Sequence, residues 1–394
     1  PCTVEMLRQR PAGDKSWPIA CSHTTLGVAT AELDLSGAHL SYGDFEEATF
    51  QGMGMIKLDG AGLAHADLSG SKLIAASESS EDGDTALIDF TEADLSSANL
   101  RDSKFTSKID TYDYDGEAKI DFTKANLAHA DLRGSILKAE AKRSNAVIEF
   151  TKANLAHADV SGLDLRADGG LSATVDFYEA NLARADLSGL EVTTDGSTGA
   201  TTATIGFKKT NLTHADLSRS KLHADGEWEA TIDFSEADLA HADLSGSKLI
   251  AASESSEDGD TALIDFTEAD LSNANLRDSK FTSKIDTYDY DGEAKIDFTK
   301  ANLARADLRG SRLQAQAERS TAVIDFTQAN LAHADLSGSK VRTDGNIGGT
   351  TALIGFKKSN LTYADLSRSK LHADGEWEAT IDFSEADLAH ADLS

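Results

Sequence analysis

Between Ile232 and Leu249 the large apolar residues Phe234, Leu239, Leu244 and Leu249 each follow the last by five positions. Two residues before each of them stands one that can be buried: Ile232, Ala237, Ala242 and Ser247. The residue immediately before is polar: Asp233, Asp238, Asp243 and Lys248. An amphipathic helix repeats every 3.6 residues and a half-buried strand every two, so a period of five belongs to neither. It suits a backbone that turns a corner every five residues and points one large side chain inward at each bend. Four corners close a square, and the stretch therefore predicts one coil of an all-β solenoid.

The pattern recurs along the chain. Leu35, Leu40, Phe45 and Phe50 mark a first coil, and Leu58, Leu63, Leu68 and Leu73 a second, after the interruption Gln51-Gly52-Met53-Gly54-Met55. Later coils start at Phe90, Phe122, Phe150, Phe177, Phe207, Phe234, Phe266, Phe298, Phe326, Phe356 and Phe383. That is roughly a dozen coils of a solenoid in which each touches only its neighbours. At ~4.8 Å per rung, the expected rod is about 60 Å long.

The triplets Ala93-Asp94-Leu95, Ala125-Asn126-Leu127, Ala130-Asp131-Leu132, Ala153-Asn154-Leu155, Ala185-Asp186-Leu187, Ala301-Asn302-Leu303 and Ala334-Asp335-Leu336 carry the motif A-(D/N)-L-x-x. In this the chain resembles the pentapeptide-repeat family from about Leu35 onward. The resemblance implies a right-handed quadrilateral parallel β-helix; spacing alone does not set the hand.

The coils are not contiguous, because an insertion follows each fourth corner. Several insertions hold Asp-Gly (Asp82-Gly83, Asp168-Gly169, Asp195-Gly196, Asp258-Gly259, Asp291-Gly292, Asp344-Gly345 and Asp374-Gly375). Asp-Gly is a turn signal because glycine adopts positive φ at little cost. Each insertion is therefore expected to be a β-hairpin projecting from the coil, with hairpins one rung apart able to pair into a side sheet.

Residues 1–33 do not repeat and read as an N-terminal cap over the open end of the solenoid, which occupies 34–394. Val4 to Arg8 fits either a helical turn or a strand. Within the solenoid a longer period separates two tandem blocks, about 58–233 and 234–394: Leu63 to Ser77 recurs as Leu239 to Ser253, and Thr106 to Phe122 recurs almost unchanged as Thr282 to Phe298. The sequence stops at Ser394 in mid-coil, so that either it is cut short or another molecule completes the last rung. Cys2 and Cys21, the only cysteines, both lie in the cap. A structural disulfide between them is the simplest reading and implies an oxidising compartment; two buried thiols in an intracellular cap is the alternative. A start at Pro1 rather than Met fits an exported protein whose signal peptide has been removed.

Charge narrows the partners. There are 67 acidic and 37 basic residues, a formal net charge of −30. That argues against capture of nucleic acid or an anionic membrane by charge attraction. No apolar run approaches the ~20 residues of a membrane span. The outward positions form columns. Asp89, Asp121, Glu149, Asp176, Asp233, Asp265, Asp297, Asp325 and Asp382 make an acidic one. Asn126, Asn154, Asn181, Asn211, Asn302, Asn330 and Asn360, with Asp94, Asp238, Asp270 and Asp387, make a mixed one. Lys72, Lys104, Lys221, Lys248, Lys280, Arg312, Lys340 and Lys370 make a basic one. Stacked Asn side chains are expected to form ladders.

Candidate chemistry is thin. His65, His129, His157, His214, His241, His333 and His390 share one slot of the coil, which Arg184, Arg305, Tyr363, Ser97 and Asn273 fill elsewhere. A dedicated metal site does not tolerate cations in its ligand slot, so a polar surface stripe is expected there. Tyr112 to Glu117, with Asp113 and Asp115, and its copy Tyr288 to Glu293, with Asp289 and Asp291, resemble a short calcium loop but lack the ordered oxygen ligands of a full one; a hairpin turn is the competing reading. The chain has no G-x-S-x-G, H-E-x-x-H or Walker motif and no unique carboxylate pair, so no catalytic, cofactor or metal residues are assigned. The expected role is a non-enzymatic, exported structural rod, extracellular, periplasmic or at the cell surface, that self-associates through its solenoid ends or hairpin sheet into a filament or layer. An acidic DNA mimic that binds a topoisomerase-type enzyme is the alternative, since about 30 charges over ~60 Å approach the one per ~1.7 Å of duplex DNA. A cell-surface adhesin is a third reading.

Overall fold

The corner is the unit from which the coil is built. Ala242 N–H donates to Leu239 C=O at 2.9 Å, closing a four-residue turn whose third residue, His241, has φ 60°. A type II turn requires positive φ at that position. The backbone between corners is extended and bonds to the coils on either side: Leu239 N–H reaches Asp270 C=O at 2.7 Å and Asp238 N–H reaches Thr210 C=O at 2.9 Å. Every peptide group that turns the corner thus finds a partner, as buried backbone must.

These relationships come from a computed structural model that describes residues 2–11, 19–28, 31–77, 85–110, 116–196, 202–254, 259–285, 292–345 and 351–394. The chain divides into two compact units, Pro1–Ala200 and Thr201–Ser394. In the first, the strands Thr25–Val28, Thr49–Met53, Lys72–Ser77, Lys104–Ile109, Ile136–Ala141, Asp164–Gly169 and Glu191–Asp195 form one parallel sheet. Leu33–Asp34, Met55–Lys57, Thr85–Asp89, Glu117–Asp121, Asn145–Glu149 and Ser172–Asp176 form another. The second unit repeats this plan. One of its parallel sheets holds Lys221–Gly226, Lys248–Ser253, Lys280–Ile285, Arg312–Ala317, Lys340–Gly345 and Lys370–Asp374. The other holds Thr202–Gly206, Glu229–Asp233, Thr261–Asp265, Glu293–Asp297, Thr321–Asp325, Thr351–Gly355 and Glu378–Asp382. Each unit is a parallel β-solenoid.

The core follows the five-residue pattern. Phe234, Leu239, Leu244 and Leu249 are all buried, as are Ile232, Ala237, Ala242 and Ser247. Equivalent rings stack from coil to coil: Phe234 lies 5.0 Å from Phe266, Phe266 4.9 Å from Phe298, and Phe298 4.8 Å from Phe326, with planes within 3° of parallel. The rung spacing of a β-sheet thus sets the distance between rings.

The insertions depart from the expected hairpins in one respect. The two arms of one insertion, Lys248–Ser253 and Thr261–Asp265, belong to different sheets. Lys248 pairs in register with Lys221 and Lys280, and Thr261 with Glu229 and Glu293. A strand's N–H and C=O groups serve one neighbour on each side, and here both neighbours are coils. The two arms meet through side chains instead. Leu249, Ala251 and Ser253 of one face Ala262 and Ile264 of the other, all buried. Small residues let the sheets close, and Ser283 Oγ donates to Ala262 C=O at 2.6 Å.

At the N-terminus Val4–Arg8 is a helix, resolving the ambiguity of that segment. Thr3 caps it by accepting from Met6 N–H at 3.2 Å, Glu5 lies in the first turn, and Leu7 is buried. Arg10 Nη1 donates to the carbonyls of His39 and Ser41, each at 2.9 Å, tying the segment to the first coil. Cys2 and Cys21 are joined, with Cα atoms 5.4 Å apart, inside the usual bridging range.

Candidate functional site

The polar columns were the candidate functional features, and the structure gives most of them a local task. Asp233 Oδ1 accepts Ser235 N–H at 2.7 Å, Asp265 accepts Thr267 N–H at 2.7 Å, and Asp325 accepts Thr327 N–H at 2.8 Å. The same contact, from the N–H two residues on, recurs at Asp89, Asp121, Asp176, Asp297 and Asp382. It is an Asx turn, which favours the bend that follows. Asp67, Asp94, Asp131, Asp159 and Asp243 do likewise at other corners.

The mixed column contains the expected ladders. Asn126 donates to Asp94 at 3.1 Å, Asn154 to Asn126 at 3.1 Å and Asn181 to Asn154 at 3.1 Å; in the second unit Asn302 donates to Asp270 and Asn330 to Asn302, each at 3.0 Å, and Asn360 to Asn330 at 3.1 Å. Each run begins with an aspartate, which only accepts.

Stacking carboxylates carries an electrostatic cost that the chain meets in two ways. In one place a lysine intervenes. Lys119 sits 2.8 Å from Asp121 and 2.5 Å from Glu149. Burial on its own disfavours its charge, but the two carboxylates overcome this and hold the ammonium well above the ordinary lysine range. Lys295 does the same with Asp297 at 2.7 Å. Elsewhere the cost remains. Burial raises the pKa of Asp265, Asp233 and Asp297 push the same way, and the Thr267 contacts oppose them. Burial also raises Asp168, helped by Asp195 and Glu140 on the neighbouring strands.

The histidine slot is the third residue of the second corner. His65, His129, His157, His214, His241, His333 and His390 all have φ between 57° and 60°, as do Arg184, Arg305, Tyr363, Ser97 and Asn273. Rings in this slot stack face to face and are exposed: His129 on His157 at 5.0 Å, His214 on His241 at 4.7 Å, and Tyr363 between His333 at 4.9 Å and His390 at 4.7 Å. Parallel rings one rung apart do not converge their nitrogens on a common point. Among the described residues no group of three His, Cys, Asp or Glu is placed to hold a metal. Asp113, Asp115, Asp289 and Asp291 lie outside the described residues.

Sequence reasoning missed the first corner, where glutamate and lysine at positive φ pair across rungs: Lys124 with Glu92 at 2.9 Å and Lys300 with Glu268 at 2.8 Å. The signal was available as the alternation of Thr91-Glu92-Ala93 with Thr123-Lys124-Ala125. Such exposed pairs contribute little individually. The basic column is also uneven. In the first unit Lys72 and Lys104 are followed in register by Ile136, Asp164 and Glu191. In the second it is unbroken from Lys221 to Lys370.

A family model described as Pentapeptide repeats matches the chain in eight copies, at residues 119–138 and 263–283. The chain carries pentapeptide repeats. Solved structures similar to it include HetL, a pentapeptide-repeat protein involved in heterocyst differentiation regulation from the cyanobacterium Nostoc sp. strain PCC 7120. It is 19% identical, with 84% of this chain and 87% of that one covered and a TM-score of 0.18. Full-length QnrB1, a plasmid-mediated fluoroquinolone resistance protein, is 17% identical over 67% of this chain and 92% of its own, with a TM-score of 0.22. No curated protein matches the sequence.

Proposed function

We propose that this protein is a non-enzymatic structural rod that works outside the cell or at its surface and associates with further copies, end to end or side by side, into a filament or layer. One observation carries the reading: the surface repeats with the rung. Asx turns, Asn ladders, ring stacks and corner ion pairs recur along the coils, and no coil gathers a unique constellation of reactive side chains among the described residues. A periodic surface favours lattice contacts, because any contact made at one rung is available at the next. The Cys2–Cys21 bridge supports an oxidising location. Negative-stain electron microscopy and light scattering across a concentration series test the assembly. Ordered polymers are expected, and a monodisperse monomer at every concentration overturns it.

A second reading, an acidic decoy for a DNA-binding enzyme such as a topoisomerase, is favoured by the net charge of −30 and by the in-register acids Asp131, Asp159 and Asp186. Its weakness is spacing. Each column places a charge every rung, ~4.8 Å, whereas a strand of B-DNA places one every ~3.4 Å. Inhibition of DNA supercoiling by the purified protein at stoichiometric amounts is its test.

A further inference from the structure

Lys221, Lys248, Lys280, Arg312, Lys340 and Lys370 occupy the first position of six consecutive strands in one parallel sheet of the second unit. All six side chains are exposed. The register is residue for residue, so the cations form a straight line with one charge per rung, and the stacked phenylalanines of the same coils set the rung at 4.8 to 5.0 Å.

Two facts set this ladder apart. First, like charges one rung apart repel, and elsewhere the chain relieves such stacking with a counter-charge: Lys295 has Asp297, Lys300 has Glu268 and Arg309 has Asp307. Among the described residues Lys248, Lys280, Arg312, Lys340 and Lys370 have no carboxylate within ion-pairing distance. The repulsion is left standing in a protein with a surplus of carboxylates, 67 against 37 cations. Second, the row beside the ladder on the same outward face holds hydrogen-bonding side chains, among them Gln314 and Arg342.

We propose that this ladder binds an extended acidic polysaccharide, with carboxylates of the polymer seated along the line of rungs. Three arguments choose that occupant. A straight line of evenly spaced cations fits a linear polymer with evenly spaced anions, and an extended uronic-acid chain carries one carboxylate per sugar ring, a length close to one rung. A DNA strand, with a phosphate every ~3.4 Å, falls out of step within two or three rungs. A second copy of this chain is a poorer counterpart, because its in-register acids are recessed: Asp297 is buried to 9% exposure, and Asp233, Asp265 and Asp325 are partly buried, each with one carboxylate oxygen already accepting a backbone N–H. The side-chain amide of Gln314 then lies where sugar hydroxyls pass. Because the protein as a whole is acidic, binding depends on short-range contact and falls steeply with salt.

The test uses the full chain and polygalacturonate as the probe, with binding measured by calorimetry at several ionic strengths. The triple variant Lys248→Ala/Lys280→Ala/Lys340→Ala is compared with Lys124→Ala/Lys152→Ala/Lys300→Ala, which removes the same charge from ion-paired lysines. Circular dichroism verifies that both fold. The ladder variant is expected to weaken binding about tenfold or more and to flatten the logarithmic salt dependence by about two to three units, while the control stays within about twofold. Absence of binding at low salt overturns the proposal. So do equal losses in both variants, equal affinity for a DNA duplex, or self-association of the wild-type chain that only the ladder variant abolishes. That last result reassigns the ladder to an interface between copies and leaves the structural reading intact.

Discussion

Asn126 Nδ2 donates to Asp94 Oδ1 across one rung at 3.1 Å, and Asp94 itself stands in register with Gly62, which has no side chain to receive anything. An aspartate therefore suits the head of the ladder, since it accepts and need not donate. The next members must do both. Asn154 donates to Asn126 and accepts from Asn181 and from Ala156 N–H. Asn154→Asp removes the donor and sets a carboxylate oxygen against Asn126 Oδ1, so it is expected to destabilise the first unit by about 1–2 kcal/mol. Asp94→Asn keeps every contact and is expected to cost less than about 0.5 kcal/mol. Chemical denaturation of the two variants compares them directly, and equal costs would remove the ladder from the account of stability.

The buried serines of the third corner make a similar pair. Ser103 Oγ donates to Leu68 C=O at 2.8 Å, while Ser311 Oγ, equally buried, has no partner. Burying a hydroxyl without a hydrogen bond is unfavourable, and removing it leaves nothing unsatisfied. Ser103→Ala is expected to lower stability by about 1 kcal/mol, and Ser311→Ala to be neutral or stabilising. Thermal melts of both variants decide the matter; a loss at Ser311 comparable to that at Ser103 would sink the distinction.

Glycines divide by what surrounds them. A Cβ on Gly226 lies 2.0 Å from Glu229 C=O on the returning arm, so the two sheets cannot close around it. Gly226→Ala is expected to cost about 3 kcal/mol or more. Gly338 has φ +67° but open space where its Cβ would stand, and the same corner slot carries Arg219, Asp278 and Arg368 at φ 56–60°. Gly338→Asn is expected to cost about 1 kcal/mol or less, since asparagine tolerates that region best after glycine. Unfolding midpoints for the two variants give the comparison, with similar losses counting against the arm-closure argument.

Much of this architecture was legible because inward positions are constrained by volume. Phe234, Leu239, Leu244 and Leu249 read as corners from spacing alone, and each is buried. Two features were not legible, for a physical reason common to both. The arms were expected to bond to each other, yet Lys248–Ser253 and Thr261–Asp265 bond to neighbouring coils. An alternating strand with Ala251 and Ala262 inside is compatible with either ladder, and only the competition with adjacent coils decides. The acidic columns looked like free surface, yet Asp233 and Asp265 cap corners. A side chain's outward direction follows from periodicity, but its bond to a peptide two residues on depends on the turn. The histidine slot shows the same limit: its variability was visible, while the positive φ shared by His241, Arg305 and Tyr363 was not.

Asp265 gives the pH dependence of the second unit a definite sign. Burial, and the neighbouring charges of Asp233 and Asp297, raise its pKa above the ordinary 3.8. A carboxyl whose folded pKa is raised favours folding fully below its unfolded value, and that contribution is lost as pH rises through the folded one. At neutral pH the ionised group is therefore a liability. Asp265→Asn keeps the acceptor for Thr267 N–H, which lies 2.7 Å away, and removes the charge. The variant is expected to be more stable than wild type at pH 7, with the advantage shrinking as pH falls through the raised pKa and vanishing below about 3.8. Lys119 predicts the opposite context: with carboxylates on two sides, Asp121→Asn there removes an attraction and lowers stability at neutral pH. Melting temperatures of both variants against wild type, between pH 3 and pH 8, read the two signs. A stabilising effect of Asp265→Asn that persists unchanged at the acid end would show that packing, not charge, is responsible.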